Sequence, residues 1–302
     1  MLDITVIILT YNEEIHIQRC IENIKPLVND IFVVDSFSID KTVEIAKELG
    51  AKVFQNKWEK SYAKQFNWGL QHLPIKTKWV LRLDADEYLT DTLITELKEK
   101  LVGLPNNISG IVFNRRHIFL NKWMRRGTYP VKLLRLFKTG KGICEHRFMD
   151  EHIQLLEGDI IDFKYDFVDH NLNSLDWWIS KHVGYSIREA IDLLNIELNI
   201  YGNTETENAK GLSIQALENR KKKHKYAKQP LFWRSFAFFI YRYFFKLGFL
   251  EGKESFLWHF LQGWWYRTLV DTKVYEIKSA CGLDKEKILM YIKHKYGIFI
   301  ND

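Results

Sequence analysis

Short apolar runs alternate with helical patterns over the first hundred residues. Four of these runs predict buried strands, at residues 4–9, 31–34, 53–54 and 79–83. Helices are predicted to begin near Asn12, at Thr42 and at Ser61, and Gly50 ends the second of them. Strands that are apolar along their length and separated by helices indicate an α/β fold, with a mostly parallel sheet covered by helices on both faces.

The pattern changes after Leu101. Further strands are predicted at residues 111–113, 132–137 and 158–168, and long helical patterns dominate from Leu175 onward. The later part also carries a basic run at 220–225 and an aromatic stretch at 231–266. We therefore predict two regions, an α/β domain over 1–172 and a helical, basic and aromatic region over 173–302.

Cysteine content and the N-terminus favour a cytoplasmic protein. Cys20, Cys144 and Cys281 are widely spaced and form no C-x-x-C pair, which indicates reduced thiols. The chain enters an apolar run of six residues directly after Asp3, without the basic segment and longer apolar core of a signal peptide. The net charge of +6 over 302 residues is too dispersed to indicate nucleic-acid binding.

The aromatic stretch suggests a membrane surface as a partner. Arg234, Arg242 and Lys246 interrupt the most apolar window, and a central Arg or Lys costs ~3 kcal/mol on insertion scales, so a spanning helix is not expected. The residues 232–249 predict a helix that is apolar and aromatic almost all round. Arg242, Lys246 and Lys253 fall within one arc at helical spacing, and basic residues beside aromatic rings suit an anionic headgroup region. The alternative is that this segment packs as ordinary core.

Polar side chains follow three of the predicted strands. Thr10, Tyr11 and Glu13 come after the first, Asp35 after the second, and Asp84 and Asp86 after the fourth. Each alone is typical of a turn or a helix cap. Because ligands bind at the carboxyl ends of parallel strands, the set together predicts a binding site at that edge.

The triplet Asp84-Ala85-Asp86 carries the strongest chemical signal. Two carboxylates at i and i+2 on an extended segment point roughly the same way and suit a hard cation such as Mg²⁺ or Mn²⁺. Such an ion binds diphosphate oxygens and offsets the charge of a departing nucleoside diphosphate. The alternative is a solvated turn before the helix predicted at Thr90.

These motifs resemble a known family. The stretches are Ile7-Ile8-Leu9-Thr10-Tyr11-Asn12-Glu13, Val33-Val34-Asp35-Ser36-Phe37-Ser38-Ile39-Asp40-Lys41-Thr42 and Leu83-Asp84-Ala85-Asp86-Glu87. Over about the first 170 residues the chain resembles the family 2 inverting glycosyltransferases, whose GT-A fold is Rossmann-like. The stretches 249–253 and 262–267 resemble more narrowly the lipopolysaccharide-core β-1,4-glucosyltransferase group.

The resemblance implies a catalytic domain that uses a nucleotide-sugar donor, of the UDP-glucose type, and a lipopolysaccharide-core or other membrane-associated glycan acceptor. Thr10, Tyr11 and Glu13 would lie at the donor, and Asp35 would bind the base or the ribose. Asp84 would contact the ribose or the metal-bound phosphate, and Asp86 would ligate the metal. Some enzymes of this fold complete the metal shell with a late histidine, here His170.

The chain departs from the family pattern at two places. Family members often carry Gly where this chain has Phe37, and many carry Arg-Asn-x-Gly in the third helix, where this chain reads Lys64-Gln65-Phe66-Asn67-Trp68-Gly69. Lys64 or Gln65 is expected to replace the missing arginine at the phosphate. For the arginine pairs at 115–116 and 125–126 two interpretations stay open: they bind an anionic acceptor, or they are ordinary surface residues.

Inverting transfer needs one general base for the acceptor hydroxyl. The resemblance places it downstream of the acidic triplet, in the segment 146–153, where Glu151 is the first candidate and Asp150 the second. A solvated acidic turn is the alternative. Two other functions compete, a sugar-1-phosphate nucleotidyltransferase and a non-catalytic module that binds nucleotide sugars at a membrane surface. The former usually begins with a Gly-rich basic loop, whereas this chain has residues 10–14, Thr-Tyr-Asn-Glu-Glu.

Overall fold

A computed structural model describes residues 1–147, 149, 151–201 and 211–300 of the chain. These residues divide into two compact units. The first contains Met1–Arg125, Tyr129–Asn173 and residues 211–216, and the second contains Arg126–Thr128 with residues 174–201 and 217–300. The predicted active-site residues lie in the first unit.

The first unit is built from strands and helices in alternation. Its strands are β1 Leu2–Thr10, β2 Val28–Asp35, β3 Lys52–Gln55, β4 Trp79–Asp84, β5 Glu87–Leu89, β6 Ile108–Phe119, β7 Lys122–Trp123, β8 Val131–Lys138, β9 Gly142–Cys144, β10 Ile153–Leu155 and β11 Asp159–His170. Its helices are α1 Glu14–Ile24, α2 Thr42–Glu48, α3 Tyr62–His72 and α4 Asp91–Lys100.

The main sheet has the strand order β3-β2-β1-β4-β8-β6-β11-β5, with β7 paired to β6. Strands β3, β2, β1 and β4 are parallel, and their register pairs Thr10 with Asp35 and Leu9 with Asp84. The carboxyl ends of β1, β2 and β4 therefore meet at one edge. Strands β9 and β10 form a separate antiparallel hairpin.

Both faces of the sheet are buried, as the apolar runs require. Along β1, Val6 and Ile8 belong to one hydrophobic cluster, and Ile7 and Leu9 belong to another. Successive side chains of a strand point to opposite faces, so a strand covered on both sides is apolar along most of its length.

The predicted α/β class is confirmed. All four early strands and the helices after them are present, with Ser61 accepting a hydrogen bond from the Lys64 backbone N–H as the N-cap of α3. The sheet is less uniformly parallel than predicted, because β8 runs antiparallel to both β4 and β6. The path from β6 to β8 contains no helix, and parallel neighbours joined directly would need a longer crossover.

The second unit is helical. Its first two helices are α5 Leu175–Leu198 and α6 Ile214–Ala227. The first residues of α6 are assigned to the first unit. The helical segments that follow include two π-helices. They are α7 Trp233–Ile240, a π-helix Tyr241–Phe245, a 3₁₀-helix Gly248–Glu251, α8 Lys253–Trp258, a π-helix His259–Trp265, α9 Tyr266–Cys281 and α10 Lys285–Tyr296. None of the described helices combines the length and apolar character needed to cross a bilayer.

The expected single helix over 232–249 is wrong. Leu247 has a left-handed φ of 60°, and the chain turns there into the 3₁₀ segment. Arg242 is buried, with its Nε donating to the Gly127 carbonyl at 3.1 Å, and burial together with Arg267 lowers the pKa of Arg242 to about 9. Arg242 therefore does not share an exposed arc with Lys246.

A buried ion pair joins two helices of the second unit. Arg234 on α7 and Asp271 on α9 are both buried, with the Arg234 Nη2 atom 2.6 Å from the Asp271 Oδ1 atom. The other carboxylate oxygen accepts the Phe232 backbone N–H at 2.8 Å, and Arg234 Nη1 donates to the Ala227 carbonyl at 2.9 Å. Loss of either partner leaves the other as a buried charge without its counter-charge.

We expect Asp271→Ala to lower the free energy of unfolding by about 3–5 kcal/mol, because Arg234 then remains buried without its counter-charge. Urea denaturation followed by circular dichroism measures this. Glu218→Ala is the matched control, since Glu218 lies in an exposed pair with Lys222 at 3.7 Å and its loss should cost less than about 1 kcal/mol. Similar effects for the two variants would contradict this account of the second unit.

Candidate active site

Asp35 organises the loop that follows β2. Its Oδ1 accepts hydrogen bonds from the hydroxyls of Thr10, at 3.0 Å, and Ser38, and its Oδ2 accepts the Ser38 backbone N–H at 2.9 Å and Gln55 Nε2 at 3.3 Å. A carboxylate has about four acceptor positions, so protein donors fill all of them here. The nucleoside contact implied for this carboxylate would require one of these donors to give way.

The segment after Ser38 caps helix α1. The Glu13 backbone N–H donates to Thr42 Oγ1 at 2.7 Å, and the Glu14 backbone N–H donates to Asp40 Oδ2 at 3.1 Å. The first backbone N–H groups of a helix have no partner within it, and side-chain oxygens commonly satisfy them. The loops after β1 and β2 are thereby tied to each other.

Glu13 is hydrogen-bonded to a buried histidine on α1. His16 is fully buried, and its Nδ1 lies 2.6 Å from Glu13 Oε2, while its Nε2 accepts the Leu172 backbone N–H at 2.8 Å. Because Nε2 accepts, the proton of the neutral ring is on Nδ1 and is donated to Glu13. His16 thus ties α1 to the segment after β11, and Glu13 accepts the proton on its other ring nitrogen.

A crowded set of carboxylates lies where β4, β5 and β11 meet. The antiparallel pairing of β5 with β11 places Glu87 opposite Asp169. The Nη2 atom of Arg135 lies 2.5 Å from Glu87 Oε1 and 3.4 Å from Asp84 Oδ2. Burial raises the pKa of Glu87, and although Arg135 opposes this, the charge of Asp84 adds to it.

The pKa values of Asp86 and Asp169 are shifted in opposite directions. Burial raises the pKa of Asp86 to about 6, with contributions from the nearby Asp169 and Asp84, although Asn171 Nδ2 donates to its Oδ2 at 2.9 Å. Burial alone would also raise the pKa of Asp169, but His117, 3.2 Å away, and Arg115 hold it well below its usual range. Asp86 and Glu87 therefore both keep a raised pKa, whereas Asp169 does not.

Asp84 and Asp86 fit a hard divalent cation. Both offer carboxylate oxygens, the ligands that Mg²⁺ and Mn²⁺ prefer. Burial is the main cause of the raised pKa of Asp86, and the charges of Asp169 and Asp84 add to it, which a cation would offset. Within the described part of the chain, no group of three His, Cys, Asp or Glu residues is placed to hold a metal ion.

His170 is not disposed as a metal ligand, in contrast to the sequence prediction. Arg19 Nη1 lies 3.2 Å from His170 Nδ1, and an arginine can only donate, so this nitrogen accepts. The other ring nitrogen, Nε2, then carries the proton and lies 3.3 Å from Asn121 Oδ1. Both nitrogens are engaged, which leaves no lone pair for a metal.

Arg19 is a site residue that sequence reasoning missed. Its Nη2 donates to the backbone carbonyls of Asp86, at 3.2 Å, and His170, at 2.6 Å, so it joins the end of the acidic triplet to the end of β11. Its place one turn after His16 on α1 is the only sequence signal for this role, and a basic residue at such a position is common on helix surfaces.

Neither proposed substitute for the missing arginine faces the carboxylates. Gln65 is buried, with its Nε2 donating to Ser36 Oγ at 3.0 Å and its Oε1 accepting Asn56 Nδ2 at 2.8 Å. Lys64 pairs on the surface with Glu59, its Nζ 2.9 Å from Glu59 Oε2. The expectation that one of them replaces the arginine at the phosphate is not supported, because Gln65 holds two loops together and Lys64 is paired elsewhere.

Arg82 connects the acidic triplet with the β9–β10 hairpin. This buried arginine lies with Nη2 3.8 Å from Asp84 Oδ1 and Nη1 3.6 Å from Cys144 Sγ. Burial would lower its pKa, but Asp84, Cys144 and Glu151 are among the groups that raise it above its usual value. Glu151 is thus within electrostatic reach of the same guanidinium as Asp84.

Hydrogen bonds tie the β9–β10 hairpin to helix α3. The side-chain amide of Asn67 on α3 accepts the Cys144 backbone N–H at 2.8 Å and donates to the Cys144 carbonyl at 2.7 Å. Glu145 Oε1 accepts the His152 backbone N–H at 3.0 Å, which closes the loop around Glu151. The second candidate base, Asp150, lies outside the described residues.

Arg115 and Arg116 both form ion pairs with aspartates of β11. Arg116 Nη2 lies 2.9 Å from Asp166 Oδ2, and Arg115 Nη1 lies 3.5 Å from Asp169 Oδ2. These partners reduce the positive charge that Arg115 and Arg116 offer to an anionic acceptor. Arg125 and Arg126 are exposed.

Residues 5–154 match the family model described as Glycosyl transferase family 2. An uncharacterized glycosyltransferase of Rickettsia bellii is 39% identical over 100 residues, which are 32% of this chain and 31% of that protein. A second, from Rickettsia typhi, is 39% identical over 103 residues, which are 32% of each chain. The alignments thus span about a third of the length of these curated relatives.

The fold has a counterpart among solved structures. The mannosyltransferase PcManGT from Pyrobaculum calidifontis, solved in complex with GDP-Man and Mn²⁺, is 15% identical and has a TM-score of 0.53. The match covers 90% of this chain and 87% of that chain. At this identity the likeness concerns the fold.

We expect Asp86→Asn to stabilise the chain more at pH 7.5 than at pH 5. Because the pKa of Asp86 is about 6 when folded and near 3.8 in its ordinary state, the folded chain holds the proton more tightly, and wild-type stability is lost as the pH rises through this window. Asparagine removes that penalty, so the gain in Tm over wild type should be larger at pH 7.5, by about 2 °C or more.

Thermal unfolding at both pH values measures this difference, with the exposed Asp3→Asn as the matched control. A gain for Asp86→Asn that is the same at both pH values, or that the control reproduces, would count against the crowding of carboxylates at this edge.

Proposed function

We propose, from the match of residues 5–154 to the family model described as Glycosyl transferase family 2, that the chain transfers a sugar from a nucleotide-sugar donor to an acceptor hydroxyl, with inversion at the anomeric carbon. The observation that carries the proposal is that Asp84 and Glu151 both act on Arg82 at the edge where β1, β2 and β4 end, with Asp86 two residues beyond Asp84. Donor chemistry and acceptor activation need carboxylates at one place, and capping alone does not.

On the donor side, we propose that Thr10, Tyr11 and the loop organised by Asp35 receive the nucleoside. Asp84 lies at the ribose and diphosphate, and Asp86 holds Mg²⁺ or Mn²⁺. When bound, the ion offsets negative charge on the departing diphosphate. Arg135 and Arg82 hold the Asp84 end of the triplet in place, and Arg19 holds the Asp86 backbone.

On the acceptor side, we propose Glu151 as the general base. As the acceptor oxygen bonds to the anomeric carbon and the bond to the diphosphate breaks, the hydroxyl proton passes to the Glu151 carboxylate. The Asn67–Cys144 contacts and the Glu145–His152 bond position the hairpin that carries Glu151. Asp150 is the alternative base.

The finer proposal is a UDP-glucose-type donor and a lipopolysaccharide-core or similar membrane-associated glycan acceptor. The stretches 249–253 and 262–267 support it by resemblance. So do exposed apolar side chains of the second unit, most of them aromatic and together called the aromatic surface: Trp233, Tyr241, Phe244, Phe245, Phe249 and Leu250. Exposed rings next to Lys246 suit the interface of an anionic bilayer, and large exposed apolar patches mark interaction sites.

We expect Glu151→Gln to lower kcat for sugar transfer by about 100-fold or more, because glutamine cannot take the acceptor proton. Nucleoside diphosphate release from a panel of sugar nucleotides with Mg²⁺ or Mn²⁺ measures the rate, and calorimetric binding of the nucleoside diphosphate should be unchanged. Glu157→Gln, an exposed neighbour beyond the hairpin, is the matched control and should keep full activity.

Full activity in Glu151→Gln would reject this residue as the base, and loss of activity in Asp150→Asn would then assign the role to its neighbour. Pyrophosphate release from a nucleoside triphosphate and a sugar 1-phosphate would instead indicate a nucleotidyltransferase. Binding of sugar nucleotides without turnover under any condition would indicate a non-catalytic module.

We expect the double variant Phe244→Ser and Phe245→Ser to bind vesicles of anionic phospholipid about ten-fold or more weakly than wild type, because two exposed rings no longer enter the interface. Co-sedimentation at low and high salt measures it. Met290→Ser, which removes an exposed apolar side chain on α10, is the control. Equal binding by all three proteins would show that the aromatic surface does not contribute to membrane binding.

A further inference from the structure

Phe37 combines a strained backbone with an exposed ring. Its φ is 62°, in the left-handed region that favours glycine, and a bulky residue there is an outlier. The side chain is 53% exposed, so burial in the core does not compensate for the strain. Strain of this kind persists where the surroundings impose it, and it concentrates at functional sites.

The surroundings of Phe37 impose its conformation. On one side, the Ser36 backbone N–H donates to the Thr10 carbonyl at 2.9 Å. On the other, Ser38 is bound to Asp35, and the Ile39 backbone N–H donates to Asn12 Oδ1 at 2.9 Å. Held on both sides, the loop cannot relax Phe37 into an ordinary conformation, and its ring stays in solvent.

A second exposed ring lies on the loop to which this one is tied. Tyr11 follows the end of β1 and is 57% exposed, and the adjacent Asn12 is also left-handed, with φ of 55°. The Asn12 backbone N–H donates to Ser38 Oγ at 2.9 Å, which links the two loops directly. Both rings are more than half exposed, so each offers surface to a ligand.

The polar group next to these rings is already occupied. Protein donors fill the carboxylate of Asp35, so hydrogen bonding to that group does not select a base in this conformation. Aromatic rings bind bases through stacking, and stacking tolerates different bases because each has a π-face. Recognition of a base at these two loops therefore depends on the aromatic rings.

We propose that Phe37 provides, with Tyr11, a two-ring stacking site for the base of a nucleoside diphosphate, and that this site binds pyrimidine and purine bases alike. The inference rests on the proposed function and deepens it. It assigns the strain at Phe37 to ligand binding, and it makes base recognition a matter of stacking.

The test is calorimetric titration of UDP and GDP, each with Mg²⁺, into wild type and three variants. Phe37→Gly should lower the affinity for both nucleotides about ten-fold, because it removes a stacking ring. Its Tm should not fall, because glycine adopts the left-handed conformation without strain. Phe37→Tyr should keep the affinity, and Ile39→Ala, which truncates an exposed apolar side chain of the same loop, should leave affinity and Tm unchanged.

Three outcomes would overturn the inference. Unchanged affinity in Phe37→Gly would remove Phe37 from the site, and a fall in Tm that accompanies the loss of affinity would make its role structural. A loss for only one of the two nucleotides would refute base-independent stacking. In each case wild-type binding and transfer leave the proposed function intact, whereas a wild type that binds neither nucleotide overturns both.

Discussion

Repulsion among carboxylates at the ends of β4, β5 and β11 is the constraint on which the active-site edge depends. Asp84, Asp86 and Glu87 follow one another within four residues, and the pairing of β5 with β11 adds Asp169. Arg135 offsets the charge of Glu87 and Asp84, while His117 and Arg115 offset that of Asp169. The pKa values of Asp86 and Glu87 remain raised, and a cation bound with the substrate at Asp86 would offset negative charge there.

The residues around this edge act mainly by holding others in place. Arg82 joins the triplet to the hairpin of Glu151, Arg19 joins it to the end of β11, and His16 fixes α1 to the segment that follows. Asp35 and Asn12 do the same for the two loops at the donor side. A site pre-organised in this way spends little binding energy on ordering itself when a ligand arrives.

The sequence predicts the strands and the acidic edge well, because a strand buried on both faces is apolar along most of its length and because parallel strands bring their ends together. The roles of individual polar residues depend on partners far along the chain and were less predictable. His170 is engaged by Arg19 and Gln65 by Asn56, and neither contact follows from local spacing. Arg82 did carry a signal, since a charged residue inside an apolar run must find partners when buried. The turn at Leu247 had no such signal.

The central claim is that the carboxyl ends of β1, β2 and β4 bind a nucleoside diphosphate through a divalent cation. A crystal structure of the chain with Mn²⁺ and UDP tests it most directly, because the anomalous signal of manganese locates the ion without reference to the protein. The account predicts the ion on the Asp86 carboxylate with the diphosphate beside Asp84. An ion and nucleotide bound at any other part of the chain, with Asp84 and Asp86 still held only by protein groups, would contradict it.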